Sequence, residues 1–422
     1  MFRSRTAHAL TVAALLFVAV DIDDPYLAPV RVWSGMAIVA IAGIGSMLAS
    51  LRRDGRAILL VLWCTIPLAQ AVVSIRFLDR EIGILNTPPA RAVRFGQHFV
   101  VGYRHVDEIE ILAERGLIGG IFVTRRNVAG RGAAALRDEI AHLQAIRLAA
   151  GLPPLIVAAD QEGGIVTHLS PPLSAWPSLA DLAGLPPEQR REQAMAEGAG
   201  MGRELAALGV TVDFAPVVDL RPERPHNRFD FNTLIGQRAI ASDPAVVTDI
   251  ALAFGQGLAM AGVRGTIKNF PGLGRVTSDT HHFRAILTAD ATALDASDWR
   301  PFRTILAQSD PLLMVGHVVV GSIDAAHPAS QSKAAIDGLL RRQWGFDGVI
   351  VTDDLVMTSV FKHGICAGVA DSLNAGVDLL LVAYDGRQFY RLMACVLAAE
   401  ARQEIDPAML AASERRLRRV LP

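Results

Sequence analysis

Val263-Arg264-Gly265-Thr266-Ile267-Lys268-Asn269-Phe270-Pro271-Gly272-Leu273-Gly274 is the stretch on which the reading of this chain turns. A β-type run, Val263 to Ile267, ends in a cation and a glycine-punctuated loop, and Asp279-Thr280-His281 follows closely. The same pattern returns at Val349-Ile350-Val351-Thr352-Asp353-Asp354, where an apolar run stops at two carboxylates. Short, continuously apolar runs of this kind belong to strands buried on both faces, the habit of parallel sheets.

Outward from that stretch, candidate strands recur at Phe99 to Gly102, Gly120 to Val123, Leu155 to Ala159 and Val210 to Ala215. The series continues through Val263 to Lys268, Leu312 to Gly316, Gly348 to Thr352 and Val377 to Val382. Alanine-rich amphipathic segments such as Gln193 to Leu208 and Ala245 to Ala261 separate them. Strands alternating with helices in eight units predict an α/β fold, a (β/α)8 TIM-type barrel, with a doubly wound open sheet as the alternative. Polar residues gather just past the strand ends: Asp160, Asp213, Asp219, Lys268, His317 and Asp353. Barrel active sites lie at that C-terminal face.

The chain before Phe95 reads differently. Val32 to Leu51 and Ala57 to Ile75 carry no charge, and each is long enough to cross a hydrocarbon layer of roughly 30 Å as a helix. Ala7 to Val20 is shorter, a retained span or the apolar part of a signal peptide; the lack of a small-residue cleavage site before Asp21 favours a span. These runs predict a membrane-anchoring region over 1–80, with two to three transmembrane helices at about 7–20, 32–51 and 57–75, and a catalytic barrel over 81–422. The loop Arg52-Arg53-Asp54-Gly55-Arg56 is basic, so the positive-inside tendency places it in the cytoplasm and the barrel outside the cytoplasm. A net charge of −1 gives no basic surplus, and no nucleic-acid partner is expected. Three cysteines, Cys64, Cys366 and Cys395, are too few for a disulfide scaffold or a cysteine-based zinc site. Nothing has metal-ligand spacing or the pattern of a phosphate loop, so neither metal nor cofactor is expected.

Several motifs now stand in order: Asp160-Gln161-Glu162-Gly163-Gly164, Phe214-Ala215-Pro216-Val217, Lys268 through His281, and Gly345-Phe346-Asp347-Gly348-Val349 leading into Thr352-Asp353-Asp354. Together, over about Phe95 to Asp385, they resemble glycoside hydrolase family 3, most closely its single-domain β-N-acetylhexosaminidases. The resemblance implies a TIM-type barrel, a carbohydrate substrate and a retaining cleavage of terminal β-linked sugars. It aligns Asp353 with the family's nucleophile, and Asp279 with His281 as the pair supplying general acid and base. Asp160, Arg238 and Lys268 align with sugar-binding positions, and Asn269 is grouped with them. The chain departs from the family pattern at Asn269, Leu273, Ile165 and His168, where histidines or arginines are usual. In the family those positions mainly contact the sugar, so the resemblance implies that the departures bear on specificity more than on reaction type.

The chemistry points the same way. Retaining hydrolysis needs an ionised carboxylate to attack the anomeric carbon and an acid on the other side of the bond. A nearby cation such as Lys268 would favour the ionised form of Asp353. An imidazole ordinarily titrates near neutral pH, which suits a group that acts first as acid and then as base. Asp279 would orient the His281 ring, Asp354 would serve as a helix cap or supporting group, and Gly272 and Gly274 would leave the loop free to move.

Overall fold

A computed structural model describes residues 2–51, 56–223, 232–361 and 364–420 of the chain. Two compact units divide it, Met1–Asn86 and Thr87–Pro422.

The first unit contains the helices Phe2–Val20, Arg31–Ser50 and Arg56–Leu85. Val12, Ala19, Ile38, Ala42, Leu59, Trp63 and Ile66 form its buried seam. A side chain on Gly45 would meet the Trp63 ring at 2.3 Å, so glycine lets the indole lie against its helix. By length and composition, Trp33–Ser50 and Ala57–Leu85 could each cross a membrane, while Thr6–Val20 is shorter. The third helix runs past the expected end at Ile75, through Arg76, Asp79, Arg80 and Glu81. Most of the basic loop expected to face the cytoplasm, residues 52–55, lies outside the described residues.

The second unit is built on eight parallel strands, labelled here β1 (Phe99–Gly102), β2 (Gly120–Val123), β3 (Ile156–Ala159), β4 (Val212–Asp213), β5 (Arg264–Phe270), β6 (Leu312–Val315), β7 (Ile350–Thr352) and β8 (Leu380–Val382). They pair in chain order, and β1 pairs with β8. A parallel bridge from Val351 to Leu379, with Thr352 N donating to Leu379 O at 2.9 Å, spans the seam between β7 and β8. The result is the expected barrel, nearly closed, and not the open sheet.

Alternate residues point inward, as strand pleating requires. Val100, Phe122, Ile156, Ala158, Val212, Phe214, Leu312, Met314, Val351 and Leu381 fill the interior, with Phe122 stacked on Phe214 at 5.5 Å between centroids. Leu417, from the last helix (Pro407–Val420), joins this cluster at the N-terminal end of the strands. There Asp378 is fully buried and bonded by Arg341 and Arg416 at 2.7 and 2.8 Å, so the buried charge has partners on two helices. Cys366 and Cys395 form a disulfide between the helices Ile365–Ala375 and Phe389–Ala401, a pairing that three scattered cysteines did not announce.

Outside the sheet, the helix after β3 (Pro187–Leu208) packs on the helix after β4 (Pro244–Met260) through glycines. A Cβ on Gly257 would sit 2.2 Å from Met195 O, and one on Gly198 would sit 2.2 Å from Phe254 O. Backbone cannot give way there as a flexible side chain would. Gly257→Ala should therefore lower the thermal midpoint, although alanine favours an isolated helix by about 1 kcal/mol. Overpacking typically costs about 1–3 kcal/mol, which outweighs that gain. An unchanged or raised midpoint in a thermal melt would show that the two helices separate freely.

Candidate active site

The site is assembled from loops at the C-terminal ends of β3, β5 and β7. Lys268, on β5, is only 2% exposed. Its ammonium donates to Asp160 Oδ1 at 2.6 Å and lies 2.6 Å from Glu162 Oε1. Arg238 grips Glu162 through two hydrogen bonds, Nε to Oε2 at 3.0 Å and Nη2 to Oε1 at 2.6 Å. Two cations and two carboxylates thus balance in a buried set. Burial pushes the Glu162 carboxyl up, but Arg238 and Lys268 more than offset this and hold it ionised. Burial alone would lower Lys268, yet Asp160 and Glu162 hold its ammonium above the usual lysine range. Asp160, at 23% side-chain exposure, is the member most open to solvent. Lys268 was expected to favour the ionised form of Asp353; its ion pairs run to Asp160 and Glu162 instead.

Under this set lies Asp213, fully buried on β4. One of its oxygens accepts from Gln161 N at 3.0 Å and the other is buried without a partner. Burial pushes this carboxyl well above its ordinary range, and the charge of Asp160 adds to the shift. Burial therefore favours the neutral form of this acid beneath the charged set.

Asn269 is buried, and its amide is turned to Asp219: Nδ2 donates to Asp219 Oδ2 at 2.7 Å, and the backbone N donates to the same oxygen. Leu273 N takes the other oxygen at 2.8 Å. Asp219 thus pins the loop that the sequence suggested would swing. The two glycines there answer different needs, a left-handed backbone at Gly272 and close packing at Gly274. Gly272 has φ +105°, and a Cβ on Gly274 would meet Leu220 O at 2.3 Å.

The loop beyond carries the Asp-x-His pair. Asp279 is buried, and its Oδ1 accepts from His281 N at 3.0 Å and meets His281 Nδ1 at 3.1 Å. Asn232 Nδ2 donates to Oδ2 at 3.0 Å, and Thr233 Oγ1 donates to Oδ1 at 3.3 Å. Burial raises the Asp279 carboxyl, but the bonds from His281 and Asn232 outweigh it and hold the group well below the usual range. An ionised Asp279 keeps the proton of the imidazole on Nδ1, which leaves Nε2 as the nitrogen able to exchange one. The ring is 37% exposed, so Nε2 is reachable.

Asp353 follows β7, half-buried, with Oδ1 accepting from Asp354 N at 2.8 Å. Asp354 is committed to structure: its oxygens accept from Val356 N, Ala383 N and Tyr384 N. His317, buried beyond β6, bonds Ser330 Oγ and Asp354 O. Burial lowers its pKa, the charge of Asp353 raises it and that of His281 lowers it, so both groups lie within its electrostatic reach. Ser359 Oγ donates to Thr280 O at 2.8 Å, which joins the segment after Asp353 to the residue before His281.

Sequence reasoning named Arg238 but missed Asn232 and Thr233 just before it. Arg238 Nη1 donates to Thr233 O at 2.9 Å, while Asn232 and Thr233 hold Asp279, so one short segment supports both halves of the site. Glu162 was also passed over, although it stands inside the quoted Asp160 to Gly164 motif.

Two expectations can be checked directly. Asp213→Asn should keep near wild-type stability and activity, because it replaces one neutral group by another of the same shape; a large loss would mean that the site uses a charge there. Asp219 is raised by burial to about 6 from 3.8, so its contribution to stability is full at low pH and is lost as pH rises through about 6. The thermal midpoint of wild type minus that of Asp219→Asn should accordingly be larger at about pH 4 than at about pH 7. The opposite trend in paired melts would refute the assignment.

Comparison with known proteins meets this geometry. Residues 78–420 match the family described as Glycosyl hydrolase family 3 N terminal domain. Beta-hexosaminidase LpqI of Mycobacterium tuberculosis is 35% identical over 297 residues, covering 68% of this chain and 72% of that protein. Its solved structure superposes with a TM-score of 0.69 at 31% identity over 78% of this chain and 93% of that one. A glycoside hydrolase family 3 beta-N-acetylglucosaminidase from Paenibacillus gives a TM-score of 0.70 at 31% identity over 78% of this chain, which spans 61% of that longer protein. The chain therefore belongs to glycosyl hydrolase family 3, as a glycosidase of its single-domain β-N-acetylhexosaminidase branch.

Proposed function

We propose that this chain is a retaining β-N-acetylhexosaminidase that removes terminal β-linked amino sugars from oligomers or cell-wall fragments. The observation that carries the proposal is the joint between the two halves of the site. Ser359, six residues past Asp353, is bonded to Thr280, which immediately precedes His281. A carboxylate and a carboxylate-backed imidazole are thereby held at one end of one barrel.

In the proposed reaction an Asp353 oxygen bonds the anomeric carbon as the glycosidic C–O bond breaks. The departing oxygen takes the proton from His281 Nε2. Water then gives a proton to Nε2 and its oxygen bonds the anomeric carbon, which releases Asp353. Asp279 keeps Nδ1 protonated throughout and balances the imidazolium charge. Asp160, partly exposed above Lys268, accepts hydrogen bonds from sugar hydroxyls, Lys268 holds it in place, and Arg238 and Lys268 keep Glu162 ionised. Asn269 shapes the same subsite through its bond to Asp219. LpqI and the Paenibacillus enzyme, named a beta-hexosaminidase and a beta-N-acetylglucosaminidase, support the choice of sugar.

We further propose that the first unit anchors the enzyme in a membrane. Ile58, Val61, Leu68 and Ile75 are exposed along the third helix, which suits a lipid surround. With the basic loop in the cytoplasm the barrel falls on the extracytoplasmic side, where the Cys366–Cys395 disulfide would persist.

Asp353→Ala should abolish turnover of aryl β-N-acetylglucosaminides, by at least about a thousandfold given what a covalent nucleophile contributes; cleavage at the wild-type rate would refute the assignment. His281→Ala should slow poor leaving groups far more than activated aryl ones, and equal slowing across a leaving-group series would count against the acid role. Aryl β-glucoside hydrolysis measured in parallel tests the sugar. Membrane-fraction activity with protease accessibility on intact cells tests the anchor and its orientation.

A further inference from the structure

Opposite the Lys268 cluster, the barrel rim at β8, β1 and β2 carries cationic groups that the proposed reaction does not use. Arg104 lies two residues past β1, and its Nη2 is buried without a hydrogen-bond partner. Arg126 lies just past β2, on a turn held by Thr124: Arg126 N donates to Thr124 Oγ1 at 3.3 Å, and Thr124 N donates to Asn127 Oδ1 at 2.8 Å. Buried Asn127 also donates to Tyr103 O at 3.3 Å, which locks the β2 loop to the β1 loop. Arg126 stacks over the Tyr384 ring at 4.7 Å and donates from Nη1 to Tyr384 O at 2.6 Å. Tyr384 N in turn donates to Asp354, next to Asp353. Neither guanidinium forms an ion pair with a carboxylate among the described residues. Of the acids near Arg126, Asp354 is spent on three backbone N–H groups, and Asp385 is buried and bonded by Gln388. Burial lowers the Arg126 pKa and the charge of Arg104 lowers it further, so the two cations repel each other in a half-buried setting.

Asp354 and Asp385 lie within reach of Arg126, and Glu108 accepts from Arg104 N. Partly desolvated like charges whose guanidinium groups no carboxylate bonds are nevertheless costly, and an anion that arrives with the substrate relieves the cost. Arginine forks suit a carboxylate or phosphate, which accepts paired hydrogen bonds from them. The position suggests which part of the substrate carries it. A pyranose has C4 and C1 at opposite ends, so a ring whose hydroxyls are held in the β3 to β5 sector directs C1 and its leaving group toward β7, β8 and β1. We propose that Arg104 and Arg126 form an anion-binding subsite on the leaving side of the scissile bond, selective for glycosides whose leaving group bears a carboxylate or phosphate. This rests on the retaining glycosidase reading above.

The test compares two fluorogenic β-N-acetylglucosaminides with the same coumarin phenol, one carrying a neutral 4-methyl group and the other a 4-acetate carboxylate. Full-length protein is assayed in phosphatidylcholine nanodiscs. The wild type should favour the carboxylate probe in kcat/KM by about tenfold at low salt, a preference that salt weakens. Arg104→Gln and Arg126→Gln should each bring the ratio toward one; because it is taken within each variant, general loss of activity cancels. A wild type without preference, or a ratio that neither substitution moves, overturns the subsite while leaving the glycosidase reading intact. Failure of the wild type to cleave either probe would instead defeat that reading. In phosphatidylglycerol nanodiscs the preference should persist; its loss there would mean that lipid headgroups occupy the arginines, and would overturn a substrate role.

Discussion

A lysine ammonium at 2% exposure is the constraint around which the catalytic face is organised. Leaving such a charge unpaired in a low-dielectric interior would cost several kcal/mol or more, so it must meet carboxylates wherever the fold puts it. Asp160 and Glu162 supply them from beyond β3, and Arg238 completes the balance from beyond β4. In register, Ala159, Asp213 and Gly265 lie level, so Asp160 sits one residue and Lys268 three residues beyond that line.

From this set the support extends in two directions. Downward, burial and the charge of Asp160 push the Asp213 carboxyl toward its neutral form beneath the ion pairs. Outward, Arg238 is tied to Thr233, which with Asn232 fixes Asp279 and through it the His281 ring. A buried ion-pair cluster and an imidazole far apart in sequence therefore share one mechanical support. The loop between them is held as well, since Asp219 takes three N–H groups from Asn269 and Leu273.

Much of this was readable beforehand, and the reason differs by element. β1 and β2 match their predicted limits because four-residue apolar runs between polar segments leave little choice. β4 is shorter than predicted: the regular strand ends at Asp213, and beyond it Pro216 interrupts the ladder, which continues to β5 as Thr266 N to Ala215 O, Lys268 N to Pro216 O and an isolated Val217–Lys268 bridge. The third helix outruns its apolar stretch because helix formation does not require apolar residues, whereas the prediction followed hydropathy alone.

What the sequence determined by itself is the alternation of strands and helices and the polar residues at the strand ends, Asp160, Lys268 and Asp353 among them. Those features are local, set by side-chain polarity and spacing. What only the tertiary structure decided is partnership: Lys268 with Asp160 and Glu162 in place of Asp353, Asn269 with Asp219, Asp279 with Asn232 and Thr233. Pairing across a nearly closed barrel joins residues far apart in the chain, as Lys268 and Asp160 are at 108 positions. A charge seeks the nearest opposite charge in space, and distance in space is set by strand register, which no stretch of sequence contains.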